Sequence, residues 1–214
     1  MERLYETLLS AFGPQGWWPG EGPFETAVGA VLTQGTAWKN AALAVRNLRS
    51  AGAMSPGEVV RIGEERLLDL IRPAGFQSRK ASTLKALSQR IIERGGDTVT
   101  FLSGPAESVR ARLLDIHGIG DETADAILLY VAGVPTLIVD VYLRRVAERH
   151  GFLNGGESYQ DAAAAFGEAL PADASVLGEF HALIVELCKR YCRSTPACEG
   201  CPLNRRPFGR AEEL

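Results

Sequence analysis

Helical periodicity is the feature that most restricts the fold of this chain. Apolar residues recur at intervals of three and four along almost the whole sequence, and alternating strand patterns are nearly missing. Proline and glycine clusters separate the periodic segments. The sequence therefore predicts an all-α fold, with helices over Met1–Phe12, Pro23–Thr33, Ala37–Ala51, Ser55–Ile62, Glu64–Ile71, Gln77–Arg94, Ala106–Ile116, Asp121–Ala132, Val141–His150, Tyr159–Leu170 and Ala174–Cys188.

Composition and charge narrow the class of protein. The chain is 46% hydrophobic and 23% charged, with a net charge of −3, values that are ordinary for a folded domain. Acids interrupt the first apolar segment, which indicates an amphipathic helix and not a secretory signal or membrane span. We expect a cytoplasmic monomer with no membrane partner. The net charge argues against a protein that coats nucleic acid but permits a local basic contact with it.

All four cysteines lie close together near the C-terminus, with the spacing Cys188-x3-Cys192-x5-Cys198-x2-Cys201. A disulfide framework would suit a small secreted domain better than this chain. Cys188 and Cys192 are one helical turn apart, which predicts thiols on one face about 6 Å apart. Four thiolates suit either an iron–sulfur cluster or structural zinc.

The stretch that contains the cysteines is also basic. Such a patch suits contact with phosphates, and a solvated tail is the alternative. Its basic residues are Lys189, Arg190, Arg193, Arg205, Arg206 and Arg210, against one acid, Glu199.

Two further features suggest a functional site. Gly118-Ile119-Gly120 separates two predicted helices, so the backbone can turn tightly and present helix N-terminal N–H groups to a phosphate, with Ile119 filling the core. A tight turn without a ligand is the alternative. Asp140 follows a mostly apolar run where the next helix begins. It suits either an N-cap or a carboxylate held at the mouth of a cleft.

Together with Thr123-Ala124 and Val139-Asp140, the Gly-Ile-Gly turn resembles the helix-hairpin-helix and the aspartate of the endonuclease III superfamily of DNA glycosylases. The resemblance extends over nearly the whole chain. It implies that Asp140 stabilises an oxocarbenium-like sugar and activates water at C1′ of a nucleotide flipped out of double-stranded DNA. It also implies DNA contacts by Gly118, Ile119 and Gly120.

The same resemblance assigns roles to residues in the first half of the chain. Gln34 would fill the gap left by the flipped base. Phe76, ahead of Arg79-Lys80, would wedge into the duplex. Bifunctional relatives have a lysine two residues after the second glycine of the hairpin, where this chain has Glu122. Because a carboxylate cannot form an imine, we expect a monofunctional enzyme that uses water.

The tryptophans point to one branch of the superfamily. Trp17-Trp18-Pro19 and Trp38 resemble 3-methyladenine DNA glycosylase III, which stacks its base between aromatic residues at these places. A 3-methylated purine is cationic, and electron-rich rings attract cations. Core packing is the alternative for any one tryptophan. A lysine that follows the Phe-His pair in that relative is absent after Phe180-His181. No catalytic role is assigned to His117, His150 or His181.

For the cysteines, the superfamily pattern Cys-x6-Cys-x2-Cys-x5-Cys resembles Cys192, Cys198 and Cys201 with one residue fewer in the first gap, and Cys188 would replace the missing fourth ligand. The resemblance implies a [4Fe–4S] cluster, with structural zinc as the alternative. Such a cluster would hold the loop with Arg193 against DNA.

The resemblance implies two helical lobes, with Asp140 in the cleft between them. One is a six-helix lobe over 23–132 with the hairpin, and the other combines 1–22 with 133–214. Three other functions stay open. They are a glycosylase for thymine or uracil opposite guanine, a bifunctional glycosylase and AP lyase, and a non-catalytic helix-hairpin-helix DNA-binding protein.

Overall fold

A computed structural model describes residues 1–18, 20–166 and 170–204, and within them it contains helices and no strand. The predicted all-α fold is therefore confirmed. The helices are α1 (Glu2–Phe12), α2 (Pro23–Thr33), α3 (Trp38–Ser50), α4 (Pro56–Arg61), α5 (Glu64–Ile71), α6 (Gln77–Glu93), α7 (Thr98–Phe101), α8 (Ala106–Leu114), α9 (Asp121–Tyr130), α10 (Val141–Arg149), α11 (Tyr159–Phe166) and α12 (Ala174–Arg190), and a 3-10 turn covers Arg72–Ala74.

The differences from the predicted helices are short elements and helix ends. The sequence patterns did not predict α7 or the 3-10 turn, because three or four residues do not show a helical period. A side-chain cap starts α7, where Asp97 accepts a hydrogen bond from the Thr100 N–H. At the other end of the chain, α12 continues two residues beyond the predicted end at Cys188.

Residues are grouped into two compact units. One comprises Trp18–Val134, and the other comprises Met1–Trp17 together with the chain from Pro135 onward. The first unit contains α2 to α9, among them the short helix α7 that the sequence patterns did not predict. Its central element is α2, whose residues from Phe24 to Leu32 are all buried. Glu25 within α2 is paired with Arg49 of α3, which offsets the cost of burying its charge.

The second unit is built on α12. Leu4 and Leu8 of α1 are buried, and α1 and α10 both pack against α12. The interior face of α12 includes the fully buried Leu183 and Leu187. These apolar contacts place the start of α10 beside the middle of α12. Among the described residues, no helix combines the length and apolar character needed to cross a membrane.

The predicted hairpin joins α8 to α9 in the first unit. Gly118 has φ +91°, a conformation that favours glycine. A Cβ atom at Gly118 would collide with Oγ1 of Thr83 in α6 and would lie 3.1 Å from its Cβ. Arg110 of α8 donates to Asp121 and to the buried Asp125 of α9, which ties the two helices together. The turn therefore requires glycine at 118 for both its backbone and its packing.

We expect Gly118→Ala to lower the free energy of unfolding by about 1–3 kcal/mol, because it adds backbone strain to the contact with Thr83. Gly120→Ala is the matched control. Gly120 has an extended backbone with open space around it, so its loss should stay below about 1 kcal/mol. Urea unfolding of both variants measures the difference, and equal losses would contradict this account of the turn.

Candidate active site

Asp140 is the N-cap of α10 and is 5% exposed. Its Oδ1 atom accepts hydrogen bonds from the N–H groups of Tyr142 at 3.1 Å and Leu143 at 2.7 Å. A carboxylate is favoured at this end of a helix, and the two bonds fix its orientation. The N-cap interpretation of Asp140 is therefore correct, and only one of its two carboxylate oxygens is used for it.

The second oxygen of Asp140 faces a histidine. His181 of α12 places Nε2 3.5 Å from Oδ2 of Asp140, and its side chain is 10% exposed. The edge of the Trp17 ring lies against the imidazole, with 5.8 Å between ring centroids. Asp140, His181 and Trp17 therefore form a contiguous group within one unit.

Trp17 is held in this group by its own loop and by a cation. Glu179 of α12 accepts hydrogen bonds from the N–H groups of Gln15 at 2.5 Å and Gly16 at 3.2 Å. The ammonium of Lys189 lies 5.1 Å from the centre of the Trp17 ring. One face of Trp17 is thus already engaged in a cation–π contact.

Trp18, the next residue along the chain, belongs to the other unit. Its ring lies 5.0 Å from those of Trp38 and Tyr130, and it also packs against Gly29 of α2, where a Cβ atom would lie 3.3 Å from the indole nitrogen. The predicted base-pocket residues therefore have different partners, since Trp18 and Trp38 contact each other while Trp17 contacts His181. Pro19 lies outside the described residues.

Gln34, predicted to enter the DNA, contacts the hairpin. Its Nε2 atom donates to the Gly118 carbonyl and to Oγ1 of Thr123, both at 2.9 Å. The side chain of Ile119 is buried, as predicted, so this residue can reach a phosphate only through its backbone. The structure therefore brings Gln34 and the hairpin together, although they are more than 80 residues apart.

Phe76 is the residue predicted to wedge into the duplex. It is 63% exposed, and it is the one non-glycine residue with positive φ, at +47°, in the described part of the chain. A Cβ atom on Gly35 would lie 3.6 Å from the Phe76 ring, so Phe76 adjoins the turn after Gln34. Backbone strain held at an exposed aromatic ring is typical of functional sites.

Lys80 follows Phe76 in α6, and its side chain points into the protein. It is fully buried, and its ammonium donates to the carbonyls of Leu32 at 2.8 Å and Ala74 at 2.7 Å. Burial away from water, together with the nearby Arg79, lowers the pKa of the Lys80 ammonium to about 8. Lys80 therefore ties the end of α2, which leads into Gln34, to the turn that precedes Phe76.

The N-terminus of α9 begins with two acids, Asp121 and Glu122. Asp121 is bound by Arg110 at 2.7 Å, and Glu122 is exposed in the first turn of the helix. Both carboxylates favour this end of a helix. Glu122 occupies the position at which the bifunctional pattern requires a lysine.

The four cysteines are arranged around the end of α12. Cys188 lies in the helix, whereas Cys192 lies two residues beyond its end, so the expected single helical turn between them is wrong. The Cys188 thiol lies 3.7 Å from the Tyr142 carbonyl, and the influence of Cys188 and Arg149 lowers the pKa of the Cys192 thiol. Cys192, Cys198 and Cys201 line a cavity of about 530 Å³.

The four thiols are suitable donors for a metal ion or cluster. In this structure, however, they are not gathered into a complete set of ligands. Within the described residues, no three or more His, Cys, Asp or Glu side chains are grouped so as to hold a metal ion. The lowered pKa of Cys192 favours the thiolate, which is the ligating form, whereas the pKa of Cys188 is raised and burial raises that of Cys201. The four-cysteine metal site therefore stays a prediction.

The loop that contains the cysteines is fixed by arginines of α10. Arg149 donates to Sγ of Cys192 at 3.2 Å and to the Arg193 carbonyl at 2.7 Å, and Arg145 donates to the Cys192 carbonyl. Arg193 is itself exposed, with Nε 3.1 Å from the Lys189 carbonyl. The other predicted basic residues of the tail, Arg205, Arg206 and Arg210, lie outside the described residues.

Comparison with known proteins decides the family. Residues 28–172 match the family described as HhH-GPD superfamily base excision DNA repair protein. The chain belongs to this family. A "putative DNA repair glycosylase" of Methanocaldococcus jannaschii is 40% identical over 203 residues, which cover 94% of this chain and 92% of the relative.

Solved HhH-GPD structures agree. A non-covalent endonuclease III–DNA complex has a TM-score of 0.81 at 21% identity and covers 94% of this chain and 91% of its own. The 3-methyladenine DNA glycosylase MagIII of H. pylori, solved with 1,N6-ethenoadenine, has a TM-score of 0.72 at 28% identity and covers 88% and 96%. The resemblance to the endonuclease III superfamily is therefore confirmed.

Sequence reasoning missed two side chains at this HhH-GPD site. His181 was expected to pack near the pocket and was given no catalytic role, and Lys189 was not connected with Trp17. Each contact joins segments far apart in the chain, and no local spacing could have revealed it. The burial of Lys80 was not predicted either, because two carbonyl partners from other segments cannot be seen in the sequence.

Proposed function

We propose that this protein is a monomeric DNA glycosylase that hydrolyses the N-glycosidic bond of a damaged base in double-stranded DNA. The observation that supports it most directly is Asp140, a buried carboxylate with one oxygen bound to the start of α10 and the other directed away from it. A carboxylate held in this way can stabilise positive charge that develops on a deoxyribose. The family of base excision repair proteins supports the same activity.

In this mechanism the damaged nucleotide leaves the helix before the bond breaks. Phe76 enters the duplex and Gln34 occupies the gap, with backbone N–H groups of the hairpin at Gly118 and Gly120 binding phosphate. Asp140 then stabilises the oxocarbenium-like sugar and orients water toward C1′. Water is the nucleophile because Glu122 replaces the amine that an imine requires, so we infer no AP lyase activity.

For the base, we propose an alkylated purine such as 3-methyladenine. Its positive charge weakens the glycosidic bond, so no strong general acid is needed. The cluster of Trp18, Trp38 and Tyr130 supports this proposal, since electron-rich rings attract a cation by roughly 0.5–2 kcal/mol per contact.

A second candidate substrate is thymine or uracil opposite guanine. Lys189 favours it, because its ammonium already lies over Trp17 and would repel a cationic base there. The same ammonium can donate a hydrogen bond to the carbonyl oxygen of a neutral pyrimidine.

We further propose that Cys188, Cys192, Cys198 and Cys201 hold a [4Fe–4S] cluster, with structural zinc as the alternative. Three of these thiols line one cavity, and the fourth, Cys188, lies near the end of the helix that leads to them. The group would have a structural role, in which it fixes the loop that presents Arg193 to the DNA backbone.

Asp140→Asn should lower base release by on the order of 10²–10³-fold or more, while the fold is retained because asparagine is an equally good N-cap. The measurement is single-turnover release from duplexes containing 3-methyladenine, U:G, T:G or an oxidised pyrimidine, with strand nicking assayed separately. Borohydride should trap no covalent adduct with the wild type. A trapped adduct would support the alternative of a bifunctional glycosylase and AP lyase. If no base is released from any duplex, the alternative of a non-catalytic DNA-binding protein would be favoured.

Trp38→Ala should reduce kcat/KM for alkylpurine release about 10- to 30-fold, because a stacking ring is lost. Trp38→Phe retains a ring and should recover most of the activity. Thermal unfolding of both variants monitors the packing against Trp18. Release of thymine or uracil that is insensitive to Trp38→Ala would support the second candidate.

Anaerobically purified protein should contain about four iron and four acid-labile sulfide per chain. Cys188→Ser should lower both contents, because it removes the proposed replacement ligand. Zinc without sulfide would instead identify a structural zinc site. A wild-type protein with neither metal would contradict both forms of the proposal.

A further inference from the structure

His181 contacts the proposed catalytic carboxylate, yet the mechanism above gives it no role. Oδ1 of Asp140 is bound to two N–H groups of α10, which leaves Oδ2 as the oxygen that can face a sugar. A carboxylate bound through one oxygen can still pivot about that atom. A second contact is needed to fix its plane, and the side chain that the structure places there is His181, with Nε2 3.5 Å from Oδ2.

The imidazole is itself held firmly. The side chain of His181 is only 10% exposed, and its ring packs against that of Trp17 in a T-shaped contact. The loop before Trp17 is bound by Glu179 through two backbone N–H groups. A side chain restrained in this way can transmit a defined geometry to Asp140.

We propose that His181 is a positioning residue that donates Nε2–H to Oδ2 of Asp140 and so sets the plane of the carboxylate for its reaction at C1′. This inference rests on the proposed glycosylase function. The present separation is long for a hydrogen bond, and such contacts commonly shorten when substrate binds. Because His181 also contacts Trp17, it connects a proposed base-pocket ring with the proposed catalytic group.

Two variants separate the hydrogen bond from the packing. His181→Phe keeps a ring against Trp17 but removes the donor, whereas His181→Gln retains an N–H donor at a similar reach. We expect His181→Phe to slow single-turnover base release about tenfold, with less than a twofold change in Kd for DNA. His181→Gln should recover most of the rate. Equal rates for His181→Phe and wild type, or a loss that appears only in Kd, would overturn the proposal.

A second measurement is independent of catalysis. Long-range ¹H–¹⁵N spectra of the free protein report which imidazole nitrogen carries the proton, and His181→Phe assigns the His181 signals among the three histidines. Neutral His181 should carry its proton on Nε2. In Asp140→Asn, the side-chain oxygen must accept from the N–H groups of α10, so the side-chain NH₂ group faces His181. Nε2 of His181 then has to accept a hydrogen bond, and the proton of the neutral imidazole should move to Nδ1.

The two experiments distinguish failure of the glycosylase proposal from failure of the positioning proposal. If the wild type releases no base from any duplex, the glycosylase proposal fails, and the ¹⁵N spectra still decide whether His181 donates to Asp140. A wild-type protein with the proton on Nδ1, or a tautomer unchanged in Asp140→Asn, would overturn the positioning role even if base release is observed.

Discussion

The two hydrogen bonds from the first turn of α10 to Oδ1 of Asp140 are the interaction on which the proposed chemistry depends. A carboxylate that is 5% exposed would be costly to keep charged without partners. The N–H groups of Tyr142 and Leu143 supply them, and they also satisfy donors that a helix start leaves unpaired. The structural and the chemical interpretations of Asp140 are therefore not alternatives, because the cap is what orients the carboxylate.

Most of the fold could be predicted from the sequence because helical periodicity is a local property. The elements that were missed, such as α7, are too short to show a period. The candidate site was predictable only where a motif names a residue, as at Asp140 and Gly118. The contact of His181 with Asp140 joins positions 41 residues apart, and the burial of Lys80 depends on carbonyls from two other segments. Such contacts arise from packing, which no local pattern encodes.

Gln34 shows how packing changes the meaning of a motif. Its amide nitrogen is already bound to the Gly118 carbonyl and to Thr123. Entry into a DNA gap would break these two hydrogen bonds, each with a net contribution of about 1 kcal/mol. Contacts with the unpaired base must replace them, so insertion is favourable only where a partner base has left the stack. The hydrogen bonds between Gln34 and the hairpin would then break only when a base has flipped out of the duplex.

In the unit that contains Asp140, the common support is α12. Its middle carries His181 and Glu179, which face Asp140 and the Trp17 loop, and its end carries Cys188. A group bound by the cysteines would therefore act on chemistry only through the position of this helix. Loss of the metal group should therefore loosen the geometry at Asp140 without removing any residue that touches the sugar. Such an effect is typical of a structural cofactor and not of a redox cofactor.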